Sequence, residues 1–266
     1  MNEIKRSIYQ GKNYDYVYAL DNYVIEKKQN SGLCVIYCSS SGLYYPNTEE
    51  EFINAFINRT DKFEWRNNQI RKADKSIWIR DITKEFYVRG INHKINSIDK
   101  LVAFLKDETK GYEIITVGSS GGGYVATLIG CLLHAKRIYC FSGFFNLNII
   151  DKETWPLVYE YGSQPEYQKW YCLRNIIEKS GTKVFYFYPG KLEGDIKQAE
   201  VVEDLPEVYS FRFDSEIHGI PFSDRFHVPV LNKVLNLSDE KLYMLYLFFR
   251  GKTITNFRWL FRVLFL

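Results

Sequence analysis

The sequence is poor in several features at once. No stretch of about twenty consecutive apolar residues occurs, so no membrane-spanning helix is expected. The opening residues, MNEIKRSIYQGKN, are polar and lack the apolar centre of a secretory signal, which predicts a cytoplasmic protein. The five cysteines, Cys34, Cys38, Cys131, Cys140 and Cys172, show no CxxC spacing and no histidines at metal-site intervals. Four of them fall in apolar runs, where free cysteine acts as a small hydrophobe, so reduced, buried thiols are expected and no metal or disulfide. Neither charge sign dominates. Lys and Arg number 35 and Asp and Glu 32, a net +3 that gives no basis for nucleic-acid binding. Repeats and low-complexity tracts are absent.

Apolar residues make up 46% of the chain, enough for the core of one large domain over residues 1–266. Runs rich in Val, Ile, Tyr and Phe at 14–19, 23–26, 33–38, 76–80, 113–117, 137–141, 183–188 and 208–213 read as strands. The central runs are apolar throughout, as expected of strands covered on both faces. The first two, joined by Leu20-Asp-Asn22, read as a hairpin. Helical patterns lie at 48–58, 97–106, 122–135, 166–179, 195–203, 223–235 and 238–250. The alternation predicts an α/β fold: a mostly parallel sheet with helices on both faces. Two segments read as insertions. One is 46–75, charged and polar. The other is 146–181, rich in Trp and Tyr and placed as a lid.

The stretch TVGSSGGGYVATL carries the most information. Centred on Ser120 it reads G-x-S-x-G, with Gly118 and Gly122 flanking; centred on Ser119 it fails, because Val117 takes the first glycine position. It follows a strand and opens a helix, the setting of a nucleophile elbow. The turn is so tight that side chains two residues either side of the serine would collide. The Gly121 N–H, at the helix N-terminus, then faces a developing oxyanion. A phosphate-binding loop would need Lys-Ser or Lys-Thr after the glycines, and none follows. A dinucleotide fingerprint on Gly121, Gly123 and Ala126 starts too far past the strand and has no acidic partner. The remaining alternative is a glycine-rich turn without chemistry.

A nucleophile elbow is served by an acid and then a histidine, each after a later strand. His218, in DSEIHGIPF, lies in a loop after the last strand, whereas His227 falls within the following helix. His93 and His134 precede any suitable acid. Asp195, in PGKLEGD, follows the strand at 183–188 and is the candidate acid; it could instead be a helix N-cap. Glu193 is the substitute. A second oxyanion donor is expected from SSSG after the third strand, with Ser39 and Ser40 as candidates and no basis for choosing.

On VIYCSSSG, GSSGGG, GKLEGD and EIHGIPF, in that order, the chain resembles the α/β-hydrolase superfamily over most of its length. The elbow is also similar to that of bacterial enzymes encoded with surface-polysaccharide genes, among them capsule O-acetyltransferases with a GSSxGG elbow. The resemblance implies Ser120 as nucleophile, Asp195 as acid and His218 as base. It further implies acetyl-CoA as an acyl donor, no tightly bound cofactor, and a glycan or small ester as substrate. Gly121 departs from that family, which often carries a larger residue there.

The expected chemistry is acyl transfer through a serine ester, to water in an esterase or to a sugar hydroxyl in an O-acyltransferase. Trp155, Tyr159 and Trp170 in the insertion are candidates for stacking on sugar rings, against the alternative that they only pack the insertion. A peptidase or lipase on the same scaffold is a further reading, and a non-catalytic glycan- or protein-binding module is the alternative of another class. The extension 238–266 ends in a basic amphipathic helix. It is expected to dock on the core or at an oligomer contact, the alternative being peripheral attachment to an anionic membrane.

Overall fold

The computed structural model describes residues 11–28, 32–58, 62–222 and 227–266. The chain opens with helix α1 (Lys12–Tyr18) and strands β1 (Tyr23–Lys27) and β2 (Leu33–Cys38). Helix α2 (Glu49–Ile53) runs into a π-turn at Asn54–Asn58, followed by β3 (Lys75–Ile79), α3 (Ile98–Glu108) and β4 (Glu113–Ser119). Then come α4 (Gly121–Leu132), β5 (Arg137–Phe141), α5 (Pro156–Tyr161), α6 (Pro165–Gln168), α7 (Arg174–Ser180) and β6 (Lys183–Pro189). Helix α8 (Glu193–Glu200), β7 (Val208–Phe213), α9 (His227–Leu235), α10 (Asp239–Phe249) and α11 (Asn256–Leu264) complete it.

The seven strands form one sheet in the order β1-β3-β2-β4-β5-β6-β7, parallel except for β1, which pairs antiparallel with β3. Alternate residues of each strand feed two cores. Cys34, Ile36 and Cys38 face a core closed by α3, α4, α7 and α8. Leu33, Val35 and Tyr37 face a second, aromatic core closed by α9, α10 and α11. Strands covered on both faces are apolar throughout, and β2 and β5 are buried at every position.

Three expectations are corrected. The run 14–19 is helical: Tyr14, Val17 and Tyr18 recur at i, i+3 and i+4 and are the residues that α1 buries. No hairpin therefore joins it to β1, whose partner is β3. The helix expected at 166–179 is broken into α6 and α7, with Cys172 between them bridging to Asn146. Cys172 is also exposed, unlike the four buried thiols. The start of the helix expected at 223–235 lies outside the described residues at 223–226.

Between β3 and α3 the chain follows an irregular path set by one carboxylate. Asp81 accepts the backbone N–H groups of Thr83 (2.8 Å), Glu85 (2.8 Å) and Tyr87 (2.9 Å). That cradle holds Lys84, Phe86 and Tyr87 at φ of 56°, 56° and 61°, a region unfavourable to side-chain-bearing residues. It aims the Phe86 ring at the N-terminus of α4. Glu85 is buried in the same loop. Burial, and then the charge of Asp81, push its carboxyl up from 4.5 to about 8.

The sign of that shift fixes a pH dependence. A carboxyl raised in the folded state favours folding when protonated, so its contribution is complete below about pH 4.5 and is lost as pH rises through about 8. Glu85→Gln should leave stability near pH 5 little changed and raise the urea midpoint near pH 9, relative to the wild type. Equal wild-type and variant midpoints across that range would contradict it.

Candidate active site

The elbow is built by close backbone approach. A Cβ on Gly118 would stand 2.1 Å from the Gly122 carbonyl oxygen, and one on Gly122 would stand 2.4 Å from that of Cys38. Both contacts are with backbone and cannot yield, so only glycine fits. Ser120 between them has φ 54° and ψ −125°, and its N–H is bonded to the Phe141 carbonyl at the end of β5 (2.9 Å). The serine thus sits in a strained conformation at the tip of β4, held by three strands.

Asp195 and His218 converge on it. With the proton on Nδ1, His218 donates to Asp195 Oδ2 at 2.9 Å, with Oδ1 at 3.2 Å. Its Nε2 accepts from the Ser120 hydroxyl at 2.9 Å. Asp195 is buried in the first turn of α8 and does not cap it: the N-cap position is Leu192, which makes no side-chain cap bond. Glu193 points elsewhere and pairs with Lys197 at 2.6 Å. The His218 loop is tied down by Ser215, whose hydroxyl accepts the Ile217 N–H (3.1 Å) and whose carbonyl accepts that of Lys191 (3.2 Å). Of the other histidines, His93 packs edge-on against Tyr18 and His134 lies in the turn after α4. The His227 side chain is outside the described residues.

The expectation that Ser39 or Ser40 donates to an oxyanion is corrected. The Ser39 N–H continues the sheet ladder to Ile79 (3.0 Å). The Ser40 N–H is taken by Glu64 Oε2 at 2.7 Å, and the Ser40 hydroxyl donates to Glu64 Oε1 at 2.7 Å. The next N–H, that of Ser41, has no acceptor among the described residues. A Cβ on Gly121 would stand 2.7 Å from Ser41 Oγ and 3.5 Å from Phe86 Cδ1, so Ser41 and Phe86 occupy the space a larger residue would need. Gly121 opens α4, and its N–H has no intrahelical acceptor. The Gly121 N–H adjoins Ser120 in sequence, and Ser41 lies against Gly121.

Glu64 was not legible in the sequence; it sits in the insertion 46–75, with no motif around it. Burial pushes its carboxyl up, against the two hydrogen bonds from Ser40. The Glu64 N–H donates in turn to Ser39 Oγ (3.2 Å), so the two loops clasp each other.

An aromatic wall flanks the serine. Phe144 meets the His218 ring with centroids 5.8 Å apart, and Phe86 meets both Phe144 and Trp155 at 4.9 Å. Trp155 is thus brought to the site through Phe86, and exposed Tyr159 follows it one turn later on α5. Trp170 is not brought there: its ring lies under Lys169 and its carbonyl accepts from Tyr124. Among the described residues no cluster of three His, Cys, Asp or Glu side chains is arranged to hold a metal ion.

Glu64→Ala should slow labelling of Ser120 by a fluorophosphonate about 10²-fold, the scale of one misplaced oxyanion donor. Glu64→Gln keeps an acceptor for Ser40 and should recover most of the rate. Equal labelling rates in the wild type and Glu64→Ala would remove Glu64 from the account.

No family model matches the chain, and no curated protein matches it by sequence. Solved structures do. The capsule O-acetyltransferase of Neisseria meningitidis serogroup A aligns at TM-score 0.51 and 11% identity over 86% of this chain and 92% of that one. A histidine-to-alanine variant of the same protein, in complex with CoA, aligns at 0.52 and 11% over 85% and 92%. A protein of unknown function from Staphylococcus aureus aligns at 0.50 and 12% over 86% and 98%. At such identities the likeness is one of fold. The seven-stranded, mostly parallel sheet covered by helices on both faces gives this chain an α/β-hydrolase fold.

Proposed function

We propose that this protein is a serine-dependent acyl-transfer enzyme that forms an ester on Ser120 and passes the acyl group to a glycan hydroxyl. The observation that carries the reading is the unbroken line Asp195–His218–Ser120, with both links at 2.9 Å and the serine on a strained turn.

In this reading Ser120 Oγ attacks the carbonyl of an ester or thioester while His218 Nε2 takes its proton. Asp195 holds the imidazole in the required tautomer and stabilises its charged form. The Gly121 and Ser41 N–H groups receive the oxyanion. As the tetrahedral intermediate collapses, His218 returns the proton to the departing alcohol or thiol. The acceptor hydroxyl then loses its proton to His218 and attacks the acyl-serine; as the bond to Ser120 Oγ breaks, His218 gives that proton to the oxygen and the free serine is restored. Phe86 and Phe144 beside the serine suit a short apolar acyl group. Trp155, at the N-cap of α5, and Tyr159, one turn later, present rings for a sugar. Acetyl-CoA is the proposed donor; the support for it is that an O-acetyltransferase of this fold is known in complex with CoA.

Ser120→Ala should abolish fluorophosphonate labelling, and Asp195→Asn should lower kcat about 10⁴-fold with the fold intact. Incubation with acetyl-CoA, with and without oligosaccharides, separates the two outcomes of the acyl-enzyme by mass spectrometry. An acetylated sugar supports transfer, and acetate alone means hydrolysis. A folded wild type that never labels would defeat the proposal.

A further inference from the structure

The last two helices carry an unusual concentration of apolar surface. Eight of the fifteen exposed large hydrophobic side chains among the described residues lie on them: Tyr243, Met244, Leu247 and Phe248 on α10, and Phe257, Phe261, Leu264 and Phe265 at α11. Phe257, Phe261 and Phe265 are 77%, 58% and 75% exposed. They recur every four residues and line one stripe of the helix. The opposite stripe is used already. Trp259 and Val263 are buried in the aromatic core, where the Trp259 ring meets Phe213 at 5.2 Å and Phe222 at 5.5 Å. Docking on the core therefore accounts for half of α11 and leaves the other half uncovered.

The last 26 residues carry charge of one sign. Residues 241–266 contain Lys241, Arg250, Lys252, Arg258 and Arg262 and no acidic residue. Arg262 lies over the Phe248 ring at 4.5 Å and Lys252 over the same ring at 5.1 Å, so cations border the apolar patch and join the two helices. Lys233 of α9 adds another, bonded to the Leu264 carbonyl at 2.7 Å. Asp239 and Glu240 lie at the far end of α10, and Asp239 is held by Arg137.

We propose that this face rests on an anionic lipid bilayer, with Phe257, Phe261, Leu264 and Phe265 in the acyl boundary and Lys252 and Arg258 among the headgroups. Nine helical residues are far too short to cross a bilayer but suit burial in its interfacial plane. Charge decides among occupants. A second copy meeting this face by a two-fold axis would bring five cations against five, which opposes association. A nucleic acid would satisfy the cations yet offer no apolar phase to Leu247 and Leu264. A bilayer with anionic headgroups satisfies both. Because Trp259 anchors α11 beforehand, the helix meets the membrane already formed, with no folding entropy left to lose.

The test is flotation of the full chain with phosphatidylcholine vesicles, alone or with about 30% phosphatidylglycerol. The protein should float with the anionic vesicles only, and less as salt rises. Lys252→Gln and Arg258→Gln should each lower the partition coefficient about fivefold. Phe261→Ser with Phe265→Ser should lower it about a hundredfold or more, with Trp259 emission unchanged because both phenylalanines are exposed. No flotation with anionic vesicles, equal flotation with neutral ones, or partition indifferent to these substitutions would overturn the proposal. So would a dimer in sedimentation equilibrium that the paired phenylalanine substitution dissolves, since the face would then join two copies.

Discussion

The close passage of α4 against the ends of β2 and β4 governs the rest of the site. Gly122 lies so near the Cys38 carbonyl that a single methyl group would stand 2.4 Å from it, and Gly118 is as tightly set against Gly122 itself. With no spare length between strand and helix, Ser120 must take up the reversal alone, at a cost of about 1–3 kcal/mol that the surrounding sheet offsets. The same compression sets the 39–42 turn against Gly121, where a Cβ would stand 2.7 Å from Ser41 Oγ. Gly121 is part of it: Ser41 and Phe86 fill the space that a side chain there would need.

Loops at the carboxyl ends of parallel strands lack ladder partners, and their backbone groups must be satisfied some other way. Here buried or half-buried carboxylates serve. Asp81 gathers three N–H groups of the loop after β3, and Glu64 takes the N–H and hydroxyl of Ser40 after β2. Asp195 faces the same end of the sheet but turns its oxygens to an imidazole instead. Each carboxyl group is buried or half-buried and held by hydrogen bonds, which makes the loops around Ser120 specific in shape.

The final helices are joined to the site through the second core. The Ile254 N–H bonds to the Arg212 carbonyl at 2.8 Å and the Ile254 carbonyl accepts from Asp214 at 2.9 Å, so the chain before α11 extends the edge of β7. Trp259 then packs on Phe213 and Phe222, the residues that bracket the His218 loop. The packing that fixes α11 therefore also backs the histidine loop.

Much of this was legible in the order of residues. Alternating apolar runs and helical patterns determined the layered sheet, because strands buried on both faces must be apolar at every position. The spacing of Gly118, Ser120 and Gly122, and the succession Ser120, Asp195, His218, picked out the three side chains that meet, because backbone sterics and strand order are local or sequential properties. Contacts made across the fold were not legible. The run 14–19 has the aromatic content of a strand and the apolar spacing of a helix, and burial of Tyr14, Val17 and Tyr18 on one face selected the helix. Ser39 and Ser40 read as donors because nothing adjacent in sequence discloses that Ile79 and Glu64 have already claimed their N–H groups. Likewise, the amphipathic pattern at 257–265 announced two faces, and only the position of Trp259 against the sheet decided which of them the core would cover. Which hydrogen bonds and surfaces remain available is settled by partners distant in the chain, and only tertiary packing brings those partners together.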